Sequence, residues 1–148
     1  MKLRTRASIA AIATAAAVGG TGAFLLPAAS AHAVSHTLKF TSVQQATASF
    51  SRTMGAAEDK DVSKAGKVIG YDVIRFSFNP KNNITTLGVA VDLKGGFLYG
   101  VMREASRPVI HGRVTGGTGA FRGATGTITA KSLNMNDTKT GVTITYHT

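Results

Sequence analysis

The sequence predicts an all-β domain in which about eight antiparallel strands close into a barrel. Short segments alternate apolar and polar residues at period two, and turns rich in glycine and asparagine separate them. No segment forms a helix long enough to cross between parallel strands. Glycines recur inside the strands, which favours a curved, closed sheet over the alternative of a two-layer sandwich. These glycines are Gly70, Gly88, Gly100, Gly112 and Gly126.

The first 33 residues have the pattern of a signal peptide. Residues 1–6 carry three basic side chains and no acid, and residues 7–26 are uncharged and largely apolar. Pro27 then ends this stretch, and Ala31-His32-Ala33 is the small-x-small pattern of a cleavage site. We predict cleavage after Ala33, with Ala31 as the alternative. The product is a secreted domain of residues 34–148 without membrane attachment; an uncleaved membrane anchor is the competing interpretation.

Composition excludes several classes of site. The chain has no cysteine, so the exported domain depends on packing instead of disulfides, and thiol nucleophiles and thiolate metal sites are excluded. Its formal net charge is +10, but no three basic residues follow one another. We therefore expect a soluble surface with a dispersed positive charge and no nucleic-acid groove. The alternative is that this positive charge binds anionic polymers or surfaces.

Seven strands are expected from the alternation. The clearest is 67–78, where Ile74, Phe76 and Phe78 alternate with polar neighbours, followed by 84–93 with four aliphatic residues on one face. The predicted strands cover residues 36–43, 67–78, 84–93, 97–103, 109–115, 126–133 and 142–146.

The segment 44–67 is polar and carries charges of both signs. We interpret most of it as a long connection, with one further strand over residues 46–50 as an option. A weak helical tendency over residues 46–61 is the alternative.

A glycine-rich segment, Gly116-Gly117-Thr118-Gly119-Ala120-Phe121-Arg122-Gly123, has the composition of a phosphate loop but not its spacing. Arg122 stands where a dinucleotide fingerprint beginning at Gly117 requires glycine, and a β-rich segment follows in place of a helix. We therefore expect no cofactor. The segment is predicted to be a tight turn between two strands, with Phe121 filling the core.

The same segment, continued to Gly126, resembles the Gly-Gly-Thr-Gly-x-Phe-x-x-Ala-Arg-Gly signature of the dirigent proteins. The stretch Gly66-Lys67-Val68-Ile69-Gly70-Tyr71 is similar to the entry of their second strand, and the order of elements agrees from about Leu38 to Tyr146. The resemblance implies the eight-stranded antiparallel barrel shared with allene oxide cyclases, a fold that often forms trimers. The alanine-rich leader suggests a bacterial secreted member.

Dirigent proteins fix the stereochemistry of coupling or closure of a phenoxy radical or quinone methide, and allene oxide cyclases shape the ring closure of an unsaturated fatty-acid epoxide. The resemblance therefore implies a small apolar or aromatic ligand in the lumen. Two family residues are not preserved. Thr125 stands in place of the signature arginine, and 40–43 lacks the acid that plant dirigent proteins carry late in the first strand.

Asp72 is the candidate catalytic residue. If Ile74, Phe76 and Phe78 face the barrel interior, period two places Asp72 on the same face. A carboxyl group in an apolar lumen has a raised pKa and can act as a general acid. The alternative is a residue at the wet end of the strand, paired with a lysine or arginine.

Four further residues are candidates for ligand binding. Tyr71, Tyr99 and Tyr146 combine an apolar ring with a hydroxyl group, which suits an amphipathic ligand. Arg103 shares a face with Phe97 and Tyr99 and is placed to meet an anionic group at the cavity mouth. Packing of the tyrosines at the core or rim, and solvation of Arg103, are the alternatives.

No metal site is expected, because His36, His111 and His147 are far apart in sequence and none has helical ligand spacing. Two functional hypotheses follow. The first is a secreted dirigent-like barrel that binds a small ligand and steers its cyclisation or coupling. The second is a non-catalytic exported barrel that binds a cell-wall component or small molecule, or has a structural role outside the cytoplasm.

Overall fold

Eight strands, each hydrogen-bonded to its neighbours in sequence, make up the computed structural model, which describes residues 34–105 and 108–148. The first strand also pairs with the last, so the antiparallel sheet closes. The predicted signal peptide, residues 1–33, lies outside the described residues. The strands are β1 Ser35–Ser49, β2 Met54–Val62, β3 Val68–Asn79, β4 Ile84–Leu93, β5 Gly96–Glu104, β6 Val109–Gly117, β7 Thr125–Ser132 and β8 Lys139–His147.

The predicted closed barrel is confirmed and the two-layer sandwich is wrong. β4 has the predicted bounds, and six other predicted strands differ from the structure mainly at their ends. Alternation fixes which side chains enter the barrel. In β3, Asp72 is buried while Tyr71 and Val73 on either side are exposed.

The prediction for residues 44–67 is wrong. β1 continues to Ser49, so 46–50 forms no separate strand, and the supposed connection contains all of β2. No residue there is helical. The misassignment has a physical cause: the inward side chains of β2 are glycine, alanine and two aspartates, so the strand lacks apolar alternation. These inward residues are Gly55, Ala57, Asp59 and Asp61.

Glycines leave room in the narrow lumen, as predicted for Gly100 and Gly112. A Cβ atom on Gly100 would collide with the Ile128 side chain, and one on Gly112 would lie 2.5 Å from the Val101 carbonyl oxygen. Gly88 is different. The atom nearest to a Cβ added there is the Arg75 carbonyl oxygen at 4.0 Å, so this glycine is not required for close packing.

The glycine-rich segment between β6 and β7 folds back onto the turn before β5. The backbone N–H of Thr118 donates to the Phe97 carbonyl over 2.8 Å, and the Phe97 N–H donates to Thr118 Oγ1 over 3.0 Å. Gly119 has a φ of 56° and opens a single 3-10 turn, Gly119–Phe121. Phe121 is buried and meets Tyr146 edge to face, with ring centroids 5.7 Å apart. The predicted core role of Phe121 is confirmed.

Replacement of Gly117 by alanine is expected to destabilise the protein by about 1–3 kcal/mol, because overpacked sites shift their neighbours. The added Cβ would lie 2.5 Å from the Phe97 carbonyl oxygen and 2.6 Å from the Phe121 Cβ. Urea denaturation measures the effect, and Gly88→Ala is the matched control because its Cβ has space. Equal stability of both variants would contradict this packing.

Residues from every strand except β2 contribute to one buried apolar core inside the barrel, or pack against it. No helix among residues 34–105 and 108–148 is long and apolar enough to span a membrane. The fully buried side chains include two polar ones, Ser42 and Asp61, and these mark the position of the site.

Candidate functional site

A cavity of about 130 Å³ lies inside the barrel, and its lining is almost entirely apolar. Three polar residues reach it: Ser42, Asp72 and Thr140. The apolar lining comes from seven of the eight strands and consists of Phe40, Ile74, Leu87, Val89, Val91, Met102, Ile110, Ile128, Ala130, Val142 and Ile144. An apolar enclosure with few convergent polar groups is the typical form of a small-molecule site.

Three neighbouring strands bring four polar side chains together beside this cavity. Ser42 on β1 lies opposite Asp61 on β2, and Asp59 on β2 lies opposite Asp72 on β3. All four side chains point inward and are buried, with exposed fractions between 0% for Asp61 and 7% for Asp59. We call Ser42, Asp59, Asp61 and Asp72 the acid cluster.

Ser42 joins two of the carboxyl groups. Its Oγ lies 2.7 Å from Asp59 Oδ2 and 3.0 Å from Asp72 Oδ2. A hydroxyl group has one proton to donate, and it can accept others. Ser42 therefore bonds both neighbours at once only when one of them is protonated and donates to it.

Burial is the main cause of the raised pKa of each acid. It raises the pKa of Asp61 to about 8, and the nearby charge of Asp72 adds to the effect. Burial raises the pKa of Asp72 to about 6, with the charge of Asp59 contributing, while hydrogen bonds from Asp61 and Ser42 act in the opposite direction. Burial also raises the pKa of Asp59 against the hydrogen bond from Ser42.

These directions define a proton arrangement near neutral pH. Asp61 keeps its proton, and the interaction between the two acids raises the pKa of Asp61 and lowers that of Asp72. Asp72 ionises more readily than Asp61. Of the three acids, only Asp72 lines the cavity. The arrangement can accept a proton from a bound molecule or return one to it.

The acids have few other partners. No protein N–H or hydroxyl group in the described residues donates to Asp59 Oδ1, to Asp72 Oδ1 or to either Asp61 oxygen. No lysine, arginine or histidine among residues 34–105 and 108–148 forms an ion pair with any of the three acids. The alternative that Asp72 lies at a wet strand end, paired with a basic residue, is therefore wrong. Its catalytic role stays a prediction.

Three of the candidate ligand-binding residues lie on the outside of the barrel. Tyr71 is 48% exposed and Tyr99 is 39% exposed, because their strands turn Asp72, Leu98 and Gly100 inward instead. Arg103 is also exposed, on the face of β5 opposite to the lumen. The structure thus corrects their assignment to the cavity.

Tyr146 is the fourth candidate, and it is buried inside the barrel. Its ring packs against Phe121 and stacks on His36 with centroids 5.2 Å apart. It does not line the cavity. Its position supports the alternative of core packing.

Sequence interpretation missed Ser42, Asp59 and Asp61. The signal for the two aspartates was their period-two spacing, which places both on one face of an extended segment. Since Glu58 and Lys60 occupy the other face, the segment has charge on both sides and looks like a solvated connection. Ser42 gave no signal beyond its place in the alternation after Phe40.

Two features stand out on the barrel exterior. Arg103, His111 and Arg113 surround a surface depression on β5 and β6. On β3 and β5, the exposed apolar area of Tyr71, Val73, Phe97 and Tyr99 is crossed by β4, which places Ala90 and the exposed Asp92 between the two strands. The Phe97 and Tyr99 rings stack with centroids 6.2 Å apart.

No group of three or more histidine or acidic residues in the described part of the chain is arranged to hold a metal ion, and this includes the acid cluster.

Searches with protein-family models find no match. Curated proteins also give no match. Solved structures do match, at low sequence identity. A pyocyanin demethylase is 20% identical with a TM-score of 0.63, and the alignment covers 75% of this chain and 99% of that one. A pterocarpan synthase dirigent protein is 18% identical with a TM-score of 0.61, covering 78% and 88% of the respective chains.

This chain has the dirigent-like barrel fold. An exo-specific intermolecular Diels-Alderase shares it at 12% identity and a TM-score of 0.63, with 78% of this chain and 99% of that chain covered. The barrel fold implied by the sequence resemblance is thereby confirmed. At these identities the dirigent-like barrel is a common scaffold, and its chemistry must be inferred from the site in this chain.

Proposed function

We propose that this dirigent-like barrel is an exported protein that binds a small apolar or aromatic ligand in its lumen and steers the cyclisation or coupling of that ligand. The observation that carries the proposal is an apolar cavity with one buried carboxyl group, Asp72, at its wall. The three neighbours named above act, by their names, on small organic molecules. They support a small-molecule function for the same scaffold here.

Orientation and exclusion of water would supply most of the catalytic effect. The enclosing aliphatic side chains restrict the ligand to few poses, which lowers the entropic part of the barrier. Asp72 would touch the ligand and take or return a proton, because its pKa of about 6 suits both roles near neutral pH. Asp59 and Asp61 would act as positioning residues, since they do not line the cavity and reach the ligand only through Asp72, whereas Ser42 lines the cavity beside Asp72.

A homotrimer is part of the proposal. The resemblance implies trimers, and the exposed apolar area of Tyr71, Val73, Phe97 and Tyr99 would supply surface for contacts between copies.

Filling the cavity is expected to abolish ligand binding without unfolding the barrel. Val89→Phe adds a ring to the lumen wall, whereas the control Val73→Phe adds the same ring on the exposed face of β3. Native mass spectrometry of protein purified from its host would show a retained molecule in the wild type and in the control, and at least about a tenfold loss in Val89→Phe. The same spectra report the number of chains in each assembly.

Ala130→Leu fills the same cavity from β7 and should also abolish ligand binding, which provides an independent test. The proposal fails if no small molecule is retained and no member of a phenolic and lipid panel binds. Such an outcome would favour the non-catalytic exported barrel. The depression of Arg103, His111 and Arg113 supports that second candidate, as a contact for an anionic cell-wall polymer.

A further inference from the structure

We propose that the lumen selects a ligand with a single aromatic ring and a protonated amine, whose ammonium group binds Asp72. This inference rests on the proposed function, because it names the chemical class of the lumen ligand. It is carried by the charge, the hydrogen-bonding capacity and the size of the cavity.

The buried acids have no basic partner among the described residues. Asp59, Asp61 and Asp72 are buried together, and no basic side chain of the described residues forms an ion pair with them. Ionised groups in a protein interior are ordinarily paired with a charge of opposite sign. A cationic ligand group would provide that partner for Asp72, whereas an anionic group would be repelled by the ionised Asp72 at the cavity wall.

Hydrogen bonding points to the same class. Asp72 Oδ1 has no donor among the described protein atoms, while Asp72 Oδ2 is already bonded by Ser42. Asp72 is only 3% exposed and lines the cavity, so a ligand in the cavity is the available donor. An ammonium group has three N–H donors and no acceptor, and charge-assisted bonds are about twice as strong as neutral ones.

Among residues 34–105 and 108–148, the surroundings of Asp72 offer no competing cation. From β1 it faces Ser42, and from β2 it faces Asp59 and Asp61. From β4, Val91 lies opposite it in the register. The remaining polar residue of the cavity, Thr140, is neutral.

The size of the cavity restricts the apolar part of the ligand. An apolar protein cavity of about 150 Å³ holds one benzene molecule. The present cavity, at about 130 Å³, fits a single ring and is too small for a fused polycyclic molecule.

Four matched one-ring probes test the inference on the purified protein: benzylamine, benzyl alcohol, toluene and benzoate. We expect benzylamine to bind at least about tenfold more tightly than benzyl alcohol or toluene, with benzoate weakest. Isothermal titration calorimetry gives the affinities. Loss of probe binding in the Val89→Phe variant shows that the probe binds in the lumen.

Asp72→Asn keeps the shape of the side chain and removes its charge. It is expected to abolish the preference for benzylamine while toluene still binds. Asp92→Asn, an exposed aspartate on the adjacent strand, is the control and should leave the preference unchanged. Benzylamine affinity should also rise with pH through the range in which Asp72 loses its proton, as long as the amine stays protonated.

The outcomes separate the two claims. If toluene and benzyl alcohol bind in the lumen as tightly as benzylamine, or if Asp72→Asn keeps the preference, the inference about the ligand class is overturned and a lumen ligand remains. If none of the four probes binds in the lumen, the inference is overturned, whereas the proposed function is overturned only if, in addition, no small molecule is retained and no member of the phenolic and lipid panel binds.

Discussion

Raising the pH from about 4 to about 8 is expected to destabilise the folded protein progressively, because Asp61 loses its proton in the unfolded chain over this range while the buried carboxyl group keeps it. The ordinary pKa of 3.8 applies in the unfolded chain, and the pKa in the folded protein is about 8. Between these values the folded state binds more protons than the unfolded state. The free energy of unfolding therefore falls as the pH rises, which is the reverse of the usual behaviour of a paired aspartate.

The effect is large because Asp61 is fully buried and has no basic partner in the described part of the chain. One pKa unit corresponds to about 1.4 kcal/mol, so the shift of Asp61 implies a loss on the order of 5 kcal/mol across the full range. Asp72 adds a smaller loss between 3.8 and about 6. Urea denaturation at a series of pH values measures the slope.

Asp61→Asn is expected to flatten most of this dependence. The asparagine amide resembles a protonated carboxyl group in shape and can donate hydrogen bonds, but it does not titrate. The variant should match the wild type below pH of about 4 and exceed its stability by an amount that grows up to pH of about 8. Asp92→Asn, which removes an exposed carboxyl group, should keep the wild-type slope.

A wild-type stability that rises with pH over this interval would show that the acid cluster is ionised and stabilised by a partner in solution. Retention of the full slope in Asp61→Asn would assign the titration to another group. Either result would remove the physical basis for a proton held next to Asp72.

The fold was predictable wherever one face of a strand is apolar. β4 carries four aliphatic residues at period two, and its bounds followed directly from them. β2 was missed because its inward face carries Asp59 and Asp61 in place of apolar residues. The information that these acids are buried lies in the neighbouring strands, and pairing over long sequence distances cannot be derived from local alternation.

The site was predictable only in part for the same reason. Asp72 could be found because Ile74, Phe76 and Phe78 fix the inward face of β3. In β5 the inward face consists of Leu98, Gly100 and Met102, and the larger aromatic residues occupy the exterior. The expectation that the aromatic face of β5 points inward therefore placed Tyr99 and Arg103 on the wrong side of the sheet.

Phe121→Ala is expected to destabilise the protein by about 3–5 kcal/mol, the usual cost of removing a buried phenyl ring from a core. The ring is 7% exposed and contacts Tyr146 edge to face. It is held in place by a loop that two backbone hydrogen bonds attach to the start of β5: Thr118 N–H to the Phe97 carbonyl, and Ala120 N–H to the Gly95 carbonyl. Loss of the Phe121 ring would leave a void that the loop, held by these hydrogen bonds, cannot easily close.

Chemical denaturation of Phe121→Ala and of Phe50→Ala makes a matched pair, because Phe50 is 62% exposed and its removal should change stability by less than about 1 kcal/mol. Phe121→Leu retains much of the apolar volume and should recover part of the lost stability. If Phe121→Ala were as stable as Phe50→Ala, the ring would not be packed in the barrel. The glycine-rich segment would then lack its structural role, and its likeness to the dirigent signature would need a different physical cause.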